Sequence, residues 1–210
     1  MKIKICGLSR PEDVAYVNEA GIDYAGFVFA QSRRQVSPAQ AARLRALLDK
    51  GILAVGVFVN APAETIIALY RDGVIDIAQL HGEEDEAFIV KLKEASAGSR
   101  LAPVPVIKVI KNPGRNITLP ITAADYFLID SGAGSGKKFD WALLKTGGLS
   151  EAGFSKPWFL AGGISSENIG EAMALNPYAL DISSGAETDG VKDRNKILRL
   201  AAAIRKGSVV

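Results

Sequence analysis

The sequence predicts an α/β chain forming a single-domain (β/α)8 barrel, the TIM-barrel class, over residues 1–210. A short apolar run rich in β-branched residues, a polar or glycine-containing loop and a longer segment with helical spacing recur eight times. The runs are continuously apolar, as strands buried on both faces must be, and their starts lie roughly 20 to 32 residues apart. Helix-start residues follow several of the runs directly. Eight such units in a chain slightly shorter than a typical barrel of this class give a compact barrel with few insertions. The alternative is an open doubly wound sheet. Against it, Cys6-Gly7-Leu8-Ser9 lacks the glycine spacing of a dinucleotide turn, and eight units close without leftover edges.

The expected strands are Lys2 to Cys6, Tyr24 to Phe29, Leu53 to Val59, Asp76 to His81, Pro105 to Ile110, Tyr126 to Asp130, Trp158 to Ala161 and Ala179 to Ser183. Ser9-Arg10-Pro11-Glu12 and Ser37-Pro38-Ala39-Gln40 match the capping box, in which a serine oxygen accepts a backbone N–H three residues on. Pro38 suits the first helical position, where its missing N–H costs nothing. Asn60 before Pro62, the acidic run from Glu83 to Glu86, and Ser165 before Glu167 suggest three further starts. Gly21 stands where a left-handed turn ends the first helix.

With 48% hydrophobic residues the chain has ample core and is not disordered. Its apolar runs fall far short of the roughly 18 residues of a membrane helix, and Met1-Lys2-Ile3-Lys4-Ile5 lack the apolar core and cleavage site expected of a signal peptide. No membrane partner and a cytoplasmic address are expected. The 25 basic and 23 acidic residues are spread without the basic blocks of a nucleic-acid surface, so no nucleic-acid partner is expected. A single cysteine, Cys6, and a single histidine, His81, cannot assemble a zinc site unaided.

A barrel of this class builds its site at the carboxyl ends of the strands. The polar residues there are Cys6, Gln79 with His81, Lys108, Asp130, Gly162-Gly163, and Asp181 with Ser183, Ser184 and Gly185. Glycine and serine clusters after the seventh and eighth strands are suited to a phosphate, so a phosphorylated small molecule is the expected partner. The bland reading of Gly162-Gly163 is a tight turn. Gly132 to Lys138 is not a Walker loop, having three residues between Gly132 and Gly136 where four are needed and Lys138 where a Ser or Thr should follow the lysine, and reads instead as a loop closing on a ligand or as a structural loop.

Cys6 alone reads as a buried small residue, but at a strand end it becomes a candidate base. From a reference pKa of about 8.5, forming the thiolate at pH 7 costs about 2 kcal/mol. Asp130 supplies a matching acid if its surroundings keep it protonated, which would otherwise cost about 4 kcal/mol. Arg33 and Arg34 could fork a carboxylate or simply be solvated, and His81 is most simply a hydrogen-bonded strand-end residue.

Taken together, the motifs resemble the phosphoribosylanthranilate isomerase family over nearly the whole chain. The resemblance rests on Lys4-Ile5-Cys6-Gly7-Leu8, Gly26-Phe27-Val28-Phe29, Ser32-Arg33-Arg34, Val55 to Asn60, Gln79-Leu80-His81-Gly82, Gly134-Ser135-Gly136-Lys137, Leu160-Ala161-Gly162-Gly163, and Asp181-Ile182-Ser183-Ser184-Gly185 with Glu187. It implies an Amadori rearrangement of N-(5′-phosphoribosyl)anthranilate in tryptophan biosynthesis, without metal or organic cofactor, by a monomer or homodimer. It further implies Asp130 as general acid, Cys6 as general base, Arg34 on the anthranilate carboxylate, and Gly163, Ser184 and Gly185 on the phosphate. Asp181 would meet the sugar hydroxyls, and the loop around Gly136 would close over the phosphate end. Two positions depart from the family pattern: Lys138 replaces a small or hydroxyl residue, and Gln35 an aromatic. Competing readings are another phosphosugar barrel, such as indole-glycerol-phosphate synthase or a pentose-phosphate epimerase, and a non-catalytic phosphate-ligand binder. A single histidine argues against the epimerase.

Overall fold

Each expected strand forms, within a residue or two at its ends, and the eight close on themselves. The structure, a computed structural model, describes residues 1–98, 102–111, 121–130 and 156–207. The strands are β1 (Lys2–Cys6), β2 (Tyr24–Val28), β3 (Leu53–Phe58), β4 (Ile77–Leu80), β5 (Val106–Lys111), β6 (Tyr126–Asp130), β7 (Trp158–Ala161) and β8 (Ala179–Ile182). They pair in parallel in chain order, and β8 returns to β1 with Lys4 opposite Asp181. Six helices lie among the described residues: α1 (Pro11–Ala20), α2 (Pro38–Leu47), α3 (Ala63–Arg71), α4 (Glu86–Ser96), α5 (Ile169–Met173) and α6 (Arg194–Gly207). None of them is long and apolar enough to cross a membrane.

The two-residue period of a strand sorts its side chains between two cores. Ile3 and Ile5 of β1, Ala54 and Phe58 of β3, and Leu160 of β7 face the helix layer with Val14, Val17, Leu44, Ile197 and Leu200. The alternate positions fill the barrel: Tyr24, Val55, Ile77, Ile107, Leu128 and Phe159. Phe159 packs edge-on against Tyr24 at 5.3 Å between ring centres and against Tyr126 at 5.8 Å. Tyr24 and Tyr178 share a hydroxyl hydrogen bond of 3.0 Å, which satisfies both phenols beside those apolar rings. The lower barrel interior is therefore filled by these rings.

Helix starts follow the sequence less closely. Ser37 caps α2 as expected, accepting from the Gln40 N–H, but the Gln40 side chain donates to the Ser9 carbonyl instead of reaching back. Arg10, not Ser9, is the N-cap of α1, and Asp13 Oδ2 receives the N–H groups of both Ser9 and Arg10. Asp85 caps α4 through the Phe88 N–H. Asn60 is not a cap: it takes a left-handed φ of 52° and its amide oxygen accepts from the Glu83 N–H, lacing the β3 and β4 loops together. Asn168, not Ser165, precedes α5, its side chain bridging the Ser165 N–H and the Gly163 carbonyl. Gly21 ends α1 in the expected left-handed conformation. A two-residue hairpin, β9 (Glu187–Thr188) against β10 (Val191–Lys192), was not expected; it stands just after β8.

Candidate active site

Inward positions at the carboxyl ends of the strands enclose a cavity of about 700 Å³. It is lined by Cys6, Arg34, Gln79, His81, Asp130, Gly162, Gly163, Asp181, Ser183 and Ser184 among the residues singled out from sequence. Gly185 lies just behind this wall, packed so closely on the Ile164 carbonyl that no side chain fits. Gly136 and the rest of the 132–138 loop, with Lys138, lie outside the described residues. Lys108 is not brought into the cavity. Its neighbours Ile107 and Val109 occupy the inward positions, so Lys108 faces the helix layer and its ammonium donates to the Glu84 carbonyl.

Cys6 comes from the last inward position of β1. Gly26, its partner across the β1–β2 pair, has no side chain for a reason: a Cβ there would lie 2.8 Å from the Cys6 sulfur. Burial pushes the Cys6 thiol up from its ordinary value, and the nearby ammonium groups of Lys4 and Lys192 only partly oppose this. The thiol therefore ionises less readily than its ordinary value implies. Lys4 lies two residues back on the same face, wholly buried, with its ammonium 2.8 Å from Asp181 Oδ2. Burial alone would lower the lysine, but Asp181 and Cys6 outweigh it and the ammonium is held. Among the described residues, the other carboxylate oxygen, Asp181 Oδ1, is buried without a hydrogen-bond partner, as is Gln79 Oε1, and both residues line the cavity. Such orphaned acceptors are what a ligand's hydroxyl or N–H groups would satisfy.

Across the cavity, Asp130 from β6 meets His81 Nε2 at 3.2 Å, and Gln79 lies 3.4 Å from the other ring nitrogen. The histidine therefore spans two candidate residues.

Arg34 stands at the β2 rim, held by Glu187: Nε donates to Oε1 at 2.6 Å and Nη2 to Oε2 at 2.8 Å. Arg33 reaches Glu187 Oε2 at 2.7 Å and Lys192 reaches Oε1 at 2.7 Å. Burial would raise the Glu187 carboxyl, but Arg34 and Lys192 overcome it and hold the group at about 2. Glu187 entered the sequence reading only through the family resemblance, without a role, and Lys192 not at all; the available signal was two ionisable residues bracketing Thr188-Asp189-Gly190-Val191 just after a strand. The departure at Gln35 is accommodated locally, its amide donating to the Phe29 carbonyl at 3.3 Å. Val28, Val57 and Val59 form an apolar wall of the same cavity.

At the opposite rim Gly162 and Gly163 take φ values of 99° and 67°, a conformation that L side chains rarely adopt. Successive backbone turns of this kind, with the Ser183–Ser184 turn alongside, suit an anion.

The family model for N-(5′-phosphoribosyl)anthranilate (PRA) isomerase matches residues 3–203 of the chain. The chain belongs to the phosphoribosylanthranilate isomerase family. A curated isomerase of that name from Endomicrobium trichonymphae is 48% identical over 97% of this chain and 98% of its own. The crystal structure of the phosphoribosylanthranilate isomerase from Thermus thermophilus superposes with a TM-score of 0.81 at 33% identity, covering 98% and 99% of the two chains. A family member crystallised with reduced 1-(o-carboxyphenylamino)-1-deoxyribulose 5-phosphate superposes with a TM-score of 0.77 at 28% identity, again over 98% and 99%. The phosphoribosylanthranilate isomerase fold is thus matched along essentially the whole barrel.

Proposed function

We propose that this chain catalyses the Amadori rearrangement of N-(5′-phosphoribosyl)anthranilate to 1-(2-carboxyphenylamino)-1-deoxyribulose 5-phosphate in tryptophan biosynthesis, as a cytoplasmic enzyme. The observation that carries the reading is one cavity with a thiol and a carboxylate on its walls, a cationic rim at Arg34 and a glycine rim at Gly162-Gly163. Such a substrate has a carboxylate at one end and a phosphate at the other, and these rims match that polarity. The valine wall beside Arg34 suits the aromatic ring. Either a monomer or a homodimer fits this reading.

In this reading Asp130 protonates the ring oxygen as the C1′–O bond breaks, giving an open-chain iminium. Cys6 then accepts the C2′ proton, and the electrons of the C2′–H bond form the C1′=C2′ bond while the nitrogen becomes neutral. Tautomerisation moves the remaining hydroxyl proton to C1′ and leaves the ketone. The thiol returns its proton, and Asp130 regains one, through solvent. A thiol raised by burial fits this sequence, because the iminium is a cation facing it and favours the thiolate at the step that needs one. His81 holds Asp130, Asp181 takes the sugar hydroxyls, and Gly163, Ser184 and Gly185 hold the phosphate. The loop containing Gly136 closes that end, excluding water from a hydrolysable aminal.

The test is the decay of anthranilate-type fluorescence when the protein meets phosphoribosylanthranilate made in situ from anthranilate and phosphoribosyl pyrophosphate. Loss faster than spontaneous hydrolysis, without regenerated anthranilate and abolished by Cys6→Ser, is expected. Unchanged decay with folded protein would instead mean a barrel that binds or converts another phosphorylated ligand.

A further inference from the structure

A wholly buried lysine in the middle of β1 needs an explanation that stability does not supply. Burying an ion pair costs both charges their hydration, which offsets most of their attraction, and an apolar pair of similar volume often serves the fold as well. Lys4 nevertheless occupies an inward position where β2, β3 and β4 place Tyr24, Val55 and Ile77. Its ammonium has Asp181 on one side at 2.8 Å, and Cys6 follows two residues along on the same strand face, where the two groups interact electrostatically. The strand repeat makes this unavoidable, since residues two apart project from the same face.

Four charged groups act on or are coupled to Cys6. Lys4 on β1 and Lys192 on β10 favour a thiolate, Asp181 on β8 opposes it, and Arg34 stands at the β2 rim. Lys192 directs its ammonium to Glu187 Oε1 and the Ser183 carbonyl, and Arg34 is forked on Glu187. Lys4 is the cation that shares a strand face with the sulfur, two residues away, and its coulombic effect on the thiol is the largest that favours the thiolate.

We propose that Lys4 is a positioning residue for the base: its ammonium fixes Cys6 Sγ and stabilises the thiolate, while Asp181 keeps the ammonium charged and aimed. The assignment rests on Cys6 being the base. The thiol proton leaves to water in the open cavity, and the thiolate then receives the C2′ proton as the C2′–H bond breaks. Asp181 serves both partners at once, with Oδ2 on the lysine and Oδ1, unpartnered among the described residues, left for a substrate hydroxyl.

Cys6 is the one cysteine in the chain, so iodoacetamide alkylation followed by mass reports this thiol alone. The midpoint of the alkylation rate against pH is compared for wild type, Lys4→Met and Asp181→Asn. Lys4→Met raises it by about one unit or more, as loss of a close opposite charge does, whereas Asp181→Asn lowers it. At pH 7, kcat of Lys4→Met falls about tenfold or more and recovers as the pH passes the new midpoint. A merely structural pair would move both variants in the same direction and give no recovery at high pH. If Lys4→Met fails to fold, the double variant Lys4→Met/Asp181→Asn leaves neither charge unpaired, and its midpoint still lies above that of wild type. An unchanged or lowered midpoint in the folded lysine variants overturns the proposal. Full turnover in Cys6→Ser would instead overturn the base assignment, and the alkylation midpoints would remain a separate result.

Discussion

Arg34 and Glu187 meet through two parallel hydrogen bonds, Nε to Oε1 at 2.6 Å and Nη2 to Oε2 at 2.8 Å, although 153 residues separate them in sequence. This bidentate geometry fixes the guanidinium plane more firmly than a single contact would. One buried carboxylate also gathers Arg33 and Lys192, so the rim keeps an excess of positive charge. That excess is what an anionic ring substituent would meet.

Replacing the arginine tests that role. Arg34→Ala should raise KM and leave kcat nearly unchanged, because a carboxylate contact made equally in the ground state and the transition state contributes to binding alone. Steady-state kinetics decide it, and a pure loss of kcat would contradict the assignment.

Glu187 should make the fold sensitive to acid in a definite window. Its folded-state pKa of about 2 lies below the ordinary glutamate value of about 4.5, so its contribution is complete above that value and is lost as pH falls toward 2. The full contribution is at most about 3 kcal/mol. Urea midpoints of wild type and Glu187→Gln should therefore converge between pH 5 and about 2. A gap that stays constant with pH would show that this carboxylate's charge is not what stabilises the rim.

Asp130→Asn removes the transferable proton while keeping the shape of the side chain. A drop in kcat of about 100-fold or more with little change in KM is expected of a lost general acid. Near-wild-type turnover would transfer that role to another group.

Gly26→Ala tests the packing behind the thiol. The added Cβ would sit 2.8 Å from Cys6 Sγ and 2.9 Å from Cys6 Cα, so β1 itself must move. A stability loss of about 1–3 kcal/mol is expected from overpacking, and kcat should fall about tenfold or more because the base is displaced. Gly51→Ala, with nothing within 4 Å of the new atom, is the control and should change stability by less than about 0.5 kcal/mol. Equal effects at the two positions would mean that the close approach at Gly26 is relieved without cost.

The strands were legible in the sequence because each is a short apolar run with polar punctuation, and burial on both faces leaves that signature undiluted. Most of the residues singled out, among them Cys6, Arg34, His81, Asp130 and Asp181, line the cavity, because strand-end position and side-chain chemistry are both local properties. The helix caps were harder to read. Ser9, Asn60 and Ser165 are short polar residues that can satisfy several different backbone groups, and tertiary neighbours such as Asp13 and Glu84 decided which. Lys108 showed the cost of reading position without parity: it is near a strand end but on the outward side. Lys4, Glu187 and Lys192 escaped a role because their partners come from distant strands and loops, and nothing in a linear reading brings Lys4 beside Asp181.

The seam between β1 and β8 has a consequence for synthesis. Cys6 and Lys4 belong to the first strand, yet the Ser183 hydroxyl that braces the Cys6 carbonyl and the Asp181 carboxylate that meets Lys4 are each 177 residues further on. A nascent chain emerging from the ribosome carries its thiol from the outset but has no closed cavity around it until the eighth strand docks. Products that stop short of that strand would be inert, so turnover itself reports that translation has run past the seam.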